Sequence, residues 1–241
     1  MFGDVWVCSG QSNMEWRMSG ILNSDEEIAK SAEYPNIKLF RTNHMTASEP
    51  QNDLQTNPPI IWEPTSNTNA VKQFSAVCLL TARYMADVLG KDKVFGLIES
   101  NWGGTRIEAW SPQDGLSNCN IEPNEDEAHP ERSNSYLYNA MIHPLVRTSI
   151  YGALWYQGEA NTGWNRDSYG CTFSQMIEQW RKIWAENSGS NPSFPFGFMQ
   201  LAQVKADTKA VNPNYPMIRW YQTCEQGYVP NDFMKVLKIK P

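Results

Sequence analysis

Three short stretches carry the residue types from which acyl chemistry can be built. The first is Gly10-Gln11-Ser12-Asn13-Met14, a lone serine between amides directly behind the apolar run Val5-Trp6-Val7-Cys8. Where a strand turns into a helix, the first backbone N–H groups lack acceptors and the helix dipole favours an anion. A serine there has its Oγ beside a ready-made seat for an oxyanion, and Gly10 permits close approach because it has no Cβ. The position suits an N-capping serine equally well, so Ser12 reads either as a nucleophile or as a cap. The second stretch, Asn101-Trp102-Gly103-Gly104-Thr105-Arg106, can point a glycine N–H at a ligand or form an ordinary glycine turn. Its Arg106 can bind a carboxylate bidentately or pair with Glu108. The third, Trp155-Tyr156-Gln157-Gly158-Glu159-Ala160-Asn161, offers side-chain amide donors at Gln157 and Asn161. One such donor on an oxyanion is worth about 2.7–4 kcal/mol in the transition state. The aromatics of this stretch read as core before they read as sugar platforms, and Glu159 reads as a tether to a neighbouring loop.

The elements that must position these stretches alternate. Short apolar runs at Val5–Cys8, Ile37–Phe40, Val94–Ile98, Ile150–Trp155 and Phe196–Leu201 read as buried strands, with a marginal one at Val236–Ile239. Apolar residues at Phe74, Val77, Cys78, Tyr84, Met85 and Val88 fall at helical spacing before the stop signal Gly90. A second amphipathic helix is marked by Phe173, Met176, Ile177, Trp180, Ile183 and Trp184. Leu137–Val146 can be helical until Pro144 kinks or ends it. Strands alternating with helices predict a three-layer α/β/α fold around a mainly parallel sheet, with 1–241 as a single domain. Ligands of such sheets bind beyond the carboxyl ends of the strands. The three stretches lie at those ends.

Taken in this order, Gly-Gln-Ser-Asn-Met, Asn-Trp-Gly-Gly-Thr and Trp-Tyr-Gln-Gly-Glu-x-Asn resemble the SGNH-type serine esterases, and more narrowly the sialate O-acetylesterase family. Ile107-Glu108-Ala109-Trp110-Ser111, Leu137 to Pro144, Phe194-Pro195-Phe196-Gly197, Ile218-Arg219-Trp220 and Gly227-Tyr228-Val229-Pro230 extend the likeness from about residue 3 to about residue 230. The resemblance implies an SGNH or flavodoxin-like hydrolase fold and Ser12 as the nucleophile attacking an acetyl ester. It implies an oxyanion hole made of the Ser12 N–H, the N–H of Gly103 or Gly104, and a side-chain amide, Gln157 first and Asn161 second. Gln11, Trp102, Arg106 and Glu159 become candidate substrate contacts. The implied substrate is an O-acetylated sialic acid or sialoglycan, whose carboxylate Arg106 can meet. No metal or organic cofactor is implied.

The resemblance also demands a base. In the family it comes from an Asp…His-Pro segment beyond the Gly-Tyr-Val-Pro stretch. In this sequence no histidine follows His143, and the likeness fades after Pro230. The chain therefore reads as truncated at both ends, since the β-rich segment expected upstream is also missing, and its catalysis as crippled. His44, His129 and His143 read as structural residues bonded to nearby backbone. A catalytically inactive sugar binder is the alternative expectation.

Composition sets outer bounds. The chain has 241 residues, is 41% hydrophobic and contains ten Trp, enough for a sizeable core. A net charge of −6 argues against nucleic acid or an anionic membrane as the main partner. No stretch reaches the roughly 20 apolar residues of a membrane span. The family usually enters the secretory or lysosomal route, but the start of this chain shows no import signal, which leaves the compartment open. None of the five cysteines forms a CxxC pair, so a zinc site is not expected. Cys8 and Cys78 read as small buried hydrophobes, whereas Cys119 and Cys171 can pair in an oxidising compartment.

Overall fold

The first apolar run is the middle of β1 (Asp4–Gly10), whose last five residues are buried. In the computed structural model, which describes residues 3–202, 214–231 and 234, β1 lies at the centre of a six-stranded sheet of order β3-β2-β4-β1-β5-β6. The other strands are β2 (Ile37–Arg41), β3 (Glu63–Pro64), β4 (Phe95–Asn101), β5 (Gly152–Tyr156) and β6 (Phe196–Phe198). Every neighbouring pair is parallel except β2 with β3. The expected strands are thus present, and the two-residue β3 adds an antiparallel edge that its Glu-Pro sequence does not announce. The marginal run 236–239 lies outside the described residues.

Helices cover both faces: α1 (Ser12–Glu15), α2 (Ser24–Lys30), α3 (Thr68–Gln73), α4 (Ala76–Leu89), α5 (Gln113–Asn118), α6 (Tyr169–Ser188) and α7 (Asn214–Tyr221). Alternate residues of β1 serve different layers, as period-two side-chain alternation requires. Trp6 and Cys8 pack with Met14, Leu79, Ala82 and Leu97. Val7 packs on the opposite side with Trp110, Trp155, Phe173, Trp180 and Trp184. The result is the expected three-layer α/β/α arrangement.

Helix α6 buries Phe173, Met176, Ile177, Trp180 and Trp184 as their spacing predicts. Helix α4 is rotated from its expected face. Tyr84 and Val88 are 70% and 65% exposed, while Cys78, Leu79, Ala82, Arg83 and Ala86 face inward. The alanines let the helix pack closely. Arg83 is tolerated inside because Glu27 pairs with it at 2.9 Å and the Glu27 carbonyl accepts a further hydrogen bond. The segment Leu137–Val146 forms one wide turn (Tyr138–Ile142) and a tight one (His143–Leu145), not a regular helix, consistent with Pro144 supplying no N–H.

The cysteine reading needs one correction. Cys8 and Cys78 are buried, yet they form a disulfide across 70 residues with a Cα separation of 5.9 Å. Apolar context alone could not reveal that β1 and α4 bring the two together. Cys119 and Cys171 are also disulfide-bonded, tying the end of α5 to α6. Cys224 is a free thiol, pushed up to about 11 by burial.

Candidate active site

Strand register brings the three stretches to one place. Gly10 is level with Asn101 of β4 on one side and with Tyr156 of β5 on the other. Beyond that line, the Trp102 N–H donates to the Gly10 carbonyl at 3.1 Å and the Gln11 N–H to the Tyr156 carbonyl at 2.9 Å. This tight crossing explains Gly10. Its φ is +139°, and a Cβ there would stand 2.1 Å from the Tyr156 oxygen.

The chain then turns into α1. Gln11 takes the N-cap position, without a side-chain capping bond, and Ser12 is the first helical residue. Ser12 is therefore not the cap. It is exposed between buried Gln11 and Met14. Its N–H stands where no preceding turn supplies an acceptor. The second loop packs directly on it, since a Cβ built on Gly103 would lie 3.4 Å from the Ser12 Cβ. Ser12 and the Gly103 backbone thus share one site.

Gln157 and Asn161 are placed differently from the oxyanion role expected of them. Both are fully buried. The Gln157 amide donates to Asn161 Oδ1 at 2.7 Å and to Gln11 Oε1 and the Thr105 carbonyl at 3.2 Å, while its Oε1 accepts from the Tyr169 hydroxyl at 2.9 Å. The Asn161 amide donates to Glu108 at 2.9 Å, and its oxygen accepts from the Ile107 N–H at 3.0 Å. These amides bind the loops to one another from beneath. Gln11 belongs to the same buried tie, because its Oε1 also accepts from the Ala160 N–H at 3.2 Å. Burial pushes the Glu108 carboxyl up, and the bond from Asn161 opposes that shift.

Glu159 performs the tethering suggested for it: its carboxylate accepts from the side-chain amide of Asn13, the residue after the serine. Burial raises its pKa, and the Asn13 bond works against the rise.

Three contacts of the loops at this end of the sheet were not foreseen. Glu15, one turn on in α1, accepts the Gly103 N–H at 2.7 Å. His44 lies flat on Trp102, with ring centroids 4.3 Å apart, and its Nε2 is 3.5 Å from Glu15 Oε1. Burial depresses the His44 pKa, with Glu15 opposing. The third contact is Arg106, whose guanidinium stacks on Trp164 at 3.8 Å and forms no ion pair with Glu108. Only the Gly-Gln-Ser-Asn-Met-Glu spelling put Glu15 close to the serine in advance. His44 and Trp164 arrive from remote loops, which no local pattern encodes.

The other histidines are elsewhere. His143 Nδ1 is 2.8 Å from the Gln51 carbonyl, as a structural residue would be, and His129 lies 3.4 Å from Glu131. Among the described residues, no histidine hydrogen-bonds to Ser12.

Comparison with known proteins gives the chain a family. A family model described as a carbohydrate esterase, sialic acid-specific acetylesterase, matches residues 2–226. The sialate O-acetylesterase of Homo sapiens is 39% identical over 244 residues, covering 97% of this chain and 46% of that protein. The Mus musculus enzyme of the same name is 37% identical over 270 residues, covering 97% and 49%. The chain thus spans about half the length of the curated relatives it matches. A carbohydrate acetylesterase crystal structure from Xanthomonas citri superposes with a TM-score of 0.78 at 28% identity, covering 92% of this chain and 46% of that one. An Arabidopsis thaliana protein at 19% identity and a TM-score of 0.57, covering 93% and 82%, shares the fold. With the serine loop, the glycine loop and the buried amide tie all inside the matched span, the chain belongs to the carbohydrate esterase family of sialic acid-specific acetylesterases.

Proposed function

We propose that this chain carries the acyl-transfer half of a sialate O-acetylesterase site, with Ser12 as the nucleophile that takes the acetyl group from an O-acetylated sugar. The observation that carries this reading is the exposed Ser12 side chain, packed against the Gly103 backbone at the level ends of three parallel strands. The oxyanion seat is formed by the Ser12 N–H and the N–H of Gly104. Gly103 is the weaker choice because Glu15 holds its N–H. Gly104 is exposed with φ +76°, and open space lies where its Cβ would be. Gln11, Gln157 and Asn161 act as positioning residues under the seat, and Asn13 with Glu159 fixes the serine loop from the side.

Attack by the Ser12 oxygen on the acetyl carbon forms a tetrahedral oxyanion. Its collapse expels the sugar hydroxyl, and water then releases acetate from Ser12. Loss of general-base help lowers such rates by roughly 10²–10⁴, so slow turnover is expected from this chain with no histidine on Ser12. The test is fluorophosphonate labelling and hydrolysis of p-nitrophenyl acetate and of an O-acetylated sialic acid, with Ser12→Ala as control. Labelling confined to the parent chain supports the reading. Equal signals from parent and variant overturn it, and sialoside binding without labelling points to a sugar binder.

A further inference from the structure

We propose that a cavity between the loops that follow β2 and β4 is a second ligand site, apart from Ser12, and that it takes an aliphatic polyamine.

The cavity has a volume of about 430 Å³, within the roughly 300–1,000 Å³ of small-molecule sites. Its walls come from 48–50, 112–114, 123–125 and 134–139, none of which belongs to the three stretches around Ser12. The walls are fastened to one another. Asn139 Nδ2 donates to the Ala47 and Ser48 carbonyls at 3.1 and 3.0 Å, and the Asn139 carbonyl accepts from the Gln51 N–H at 2.9 Å. The Asn134 N–H donates to the Asn124 carbonyl and its Nδ2 to the Glu122 carbonyl, both at 3.0 Å. The cavity is therefore pre-formed.

Two of its lining side chains are buried and lack partners. Ser135 is 5% exposed, and its Oγ has no hydrogen bond. Tyr138 is 4% exposed, and its hydroxyl enters no hydrogen bond among the described residues. Burial, followed by the charge of Asp114, pushes the Tyr138 phenol up and so keeps it protonated. Buried polar groups ordinarily find partners. Two without them on one cavity mark a place where a ligand supplies them.

Charge selects the class of ligand. Glu49, Asp114 and Glu125 line the cavity and are exposed, and no Lys, Arg or His lines it. None of the three forms an ion pair within 4.0 Å among the described residues. This uncompensated field attracts a cation and repels an anionic sugar. The acids do not converge on one point: among the described residues no group of three His, Cys, Asp or Glu is placed to hold a metal ion. Separated charges around one cavity match a chain that carries several ammonium groups. Each ammonium has three donors and needs only acceptors, which the carboxylates and the two hydroxyl oxygens supply. The Tyr136 and Tyr138 rings add aromatic surface that attracts cations. Pro50, Pro112 and Pro123 give apolar surface to the methylenes between the charges.

The experiment is titration calorimetry of spermidine into the full chain at low ionic strength, with Mg²⁺, methyl galactoside and N-acetylneuraminic acid as comparators. Spermidine should bind saturably at one site, more weakly as salt is added, and the sialic acid should not compete. Asp114→Asn with Glu125→Gln should weaken spermidine about 5- to 20-fold. Tyr138→Phe, which removes one hydroxyl, should weaken it about 3- to 10-fold. The same charge removal at exposed Asp25 and Glu26 of α2 should leave the affinity unchanged. Equal weakening there means that spermidine merely follows the net charge of −6, and overturns the proposal. Absence of saturable binding by the parent chain at millimolar spermidine overturns it without any variant. Methyl galactoside binding that Tyr138→Phe weakens reassigns the cavity to a neutral sugar, and displacement of spermidine by equimolar Mg²⁺ reassigns it to a metal ion; either overturns it. Urea midpoints of the variants separate lost binding from lost fold, and Ser12 takes no part in the measurement.

Discussion

If Ser12 acts as proposed, the charge of Glu15 enters the energetics of its oxyanion. A carboxylate one turn away holds a glycine N–H that faces the same site. Negative charge developing on an oxyanion beside Glu15 is opposed by it. Two like charges about 4 Å apart repel by ~1 kcal/mol in water and by more where solvent is partly excluded. Glu15→Gln keeps an acceptor for Gly103 and removes the charge. It should raise the fluorophosphonate labelling rate of Ser12 by ~5-fold or more, read as the pseudo-first-order rate at fixed reagent. An unchanged rate would remove Glu15 from the electrostatics of the seat. Gly10 tests the site from the backbone side. Gly10→Ala places a Cβ 2.1 Å from the Tyr156 oxygen in a φ of +139°. The strain should destabilise the chain by about 1–3 kcal/mol or more, visible as a lowered midpoint in urea together with loss of labelling.

At the scale of elements, the strongest periodic segments were legible and the tertiary compromises were not. Helix α6 carries five large apolar side chains on one stripe and buries them all. Helix α4 turns Tyr84 and Val88 outward, because its alanines pack closely on the sheet and the ion pair with Glu27 admits Arg83. Strand β3 depends on pairing with β2 and has no pattern of its own. The Cys8–Cys78 link was hidden for the same reason, as a bond across 70 residues is a statement about topology. Closing a loop of that size restricts the unfolded chain by roughly 4 kcal/mol in the loop-entropy account. A Cys8→Ala/Cys78→Ala pair should therefore lower the urea midpoint strongly, and added reductant should lower that of the parent. A parent midpoint indifferent to reductant would contradict a stabilising role for both bridges.

For the whole molecule, one buried acid ties stability to pH. Glu99, two residues before the end of β4, is 1% exposed, accepts the Ser75 N–H at 2.8 Å and has Arg41 only 3.5 Å away. Burial outweighs that cation and pushes its carboxyl up to about 7. Because the folded value exceeds the unfolded one, its contribution is fully present below about pH 4.5 and is lost as pH rises through about 7. Glu99→Gln should gain stability relative to the parent between pH 5 and 8, on the order of 3 kcal/mol. A difference that stays flat across that range would contradict this. The location of the site was legible from the order of elements, because the ends of parallel strands are where loops converge. The division of labour within it was not. Gln157 and Asn161 look like donors in sequence and become fasteners only when Tyr169, Thr105 and Glu108 close around them. The level ends of β1, β4 and β5 carry one more consequence. A slip of a single residue in β1 would shift the serine by about 3.3 Å and reverse every side chain of that strand. Misplacement by small degrees is thus closed to this architecture, and folding errors there should yield wholly silent molecules, never a continuum of sluggish ones.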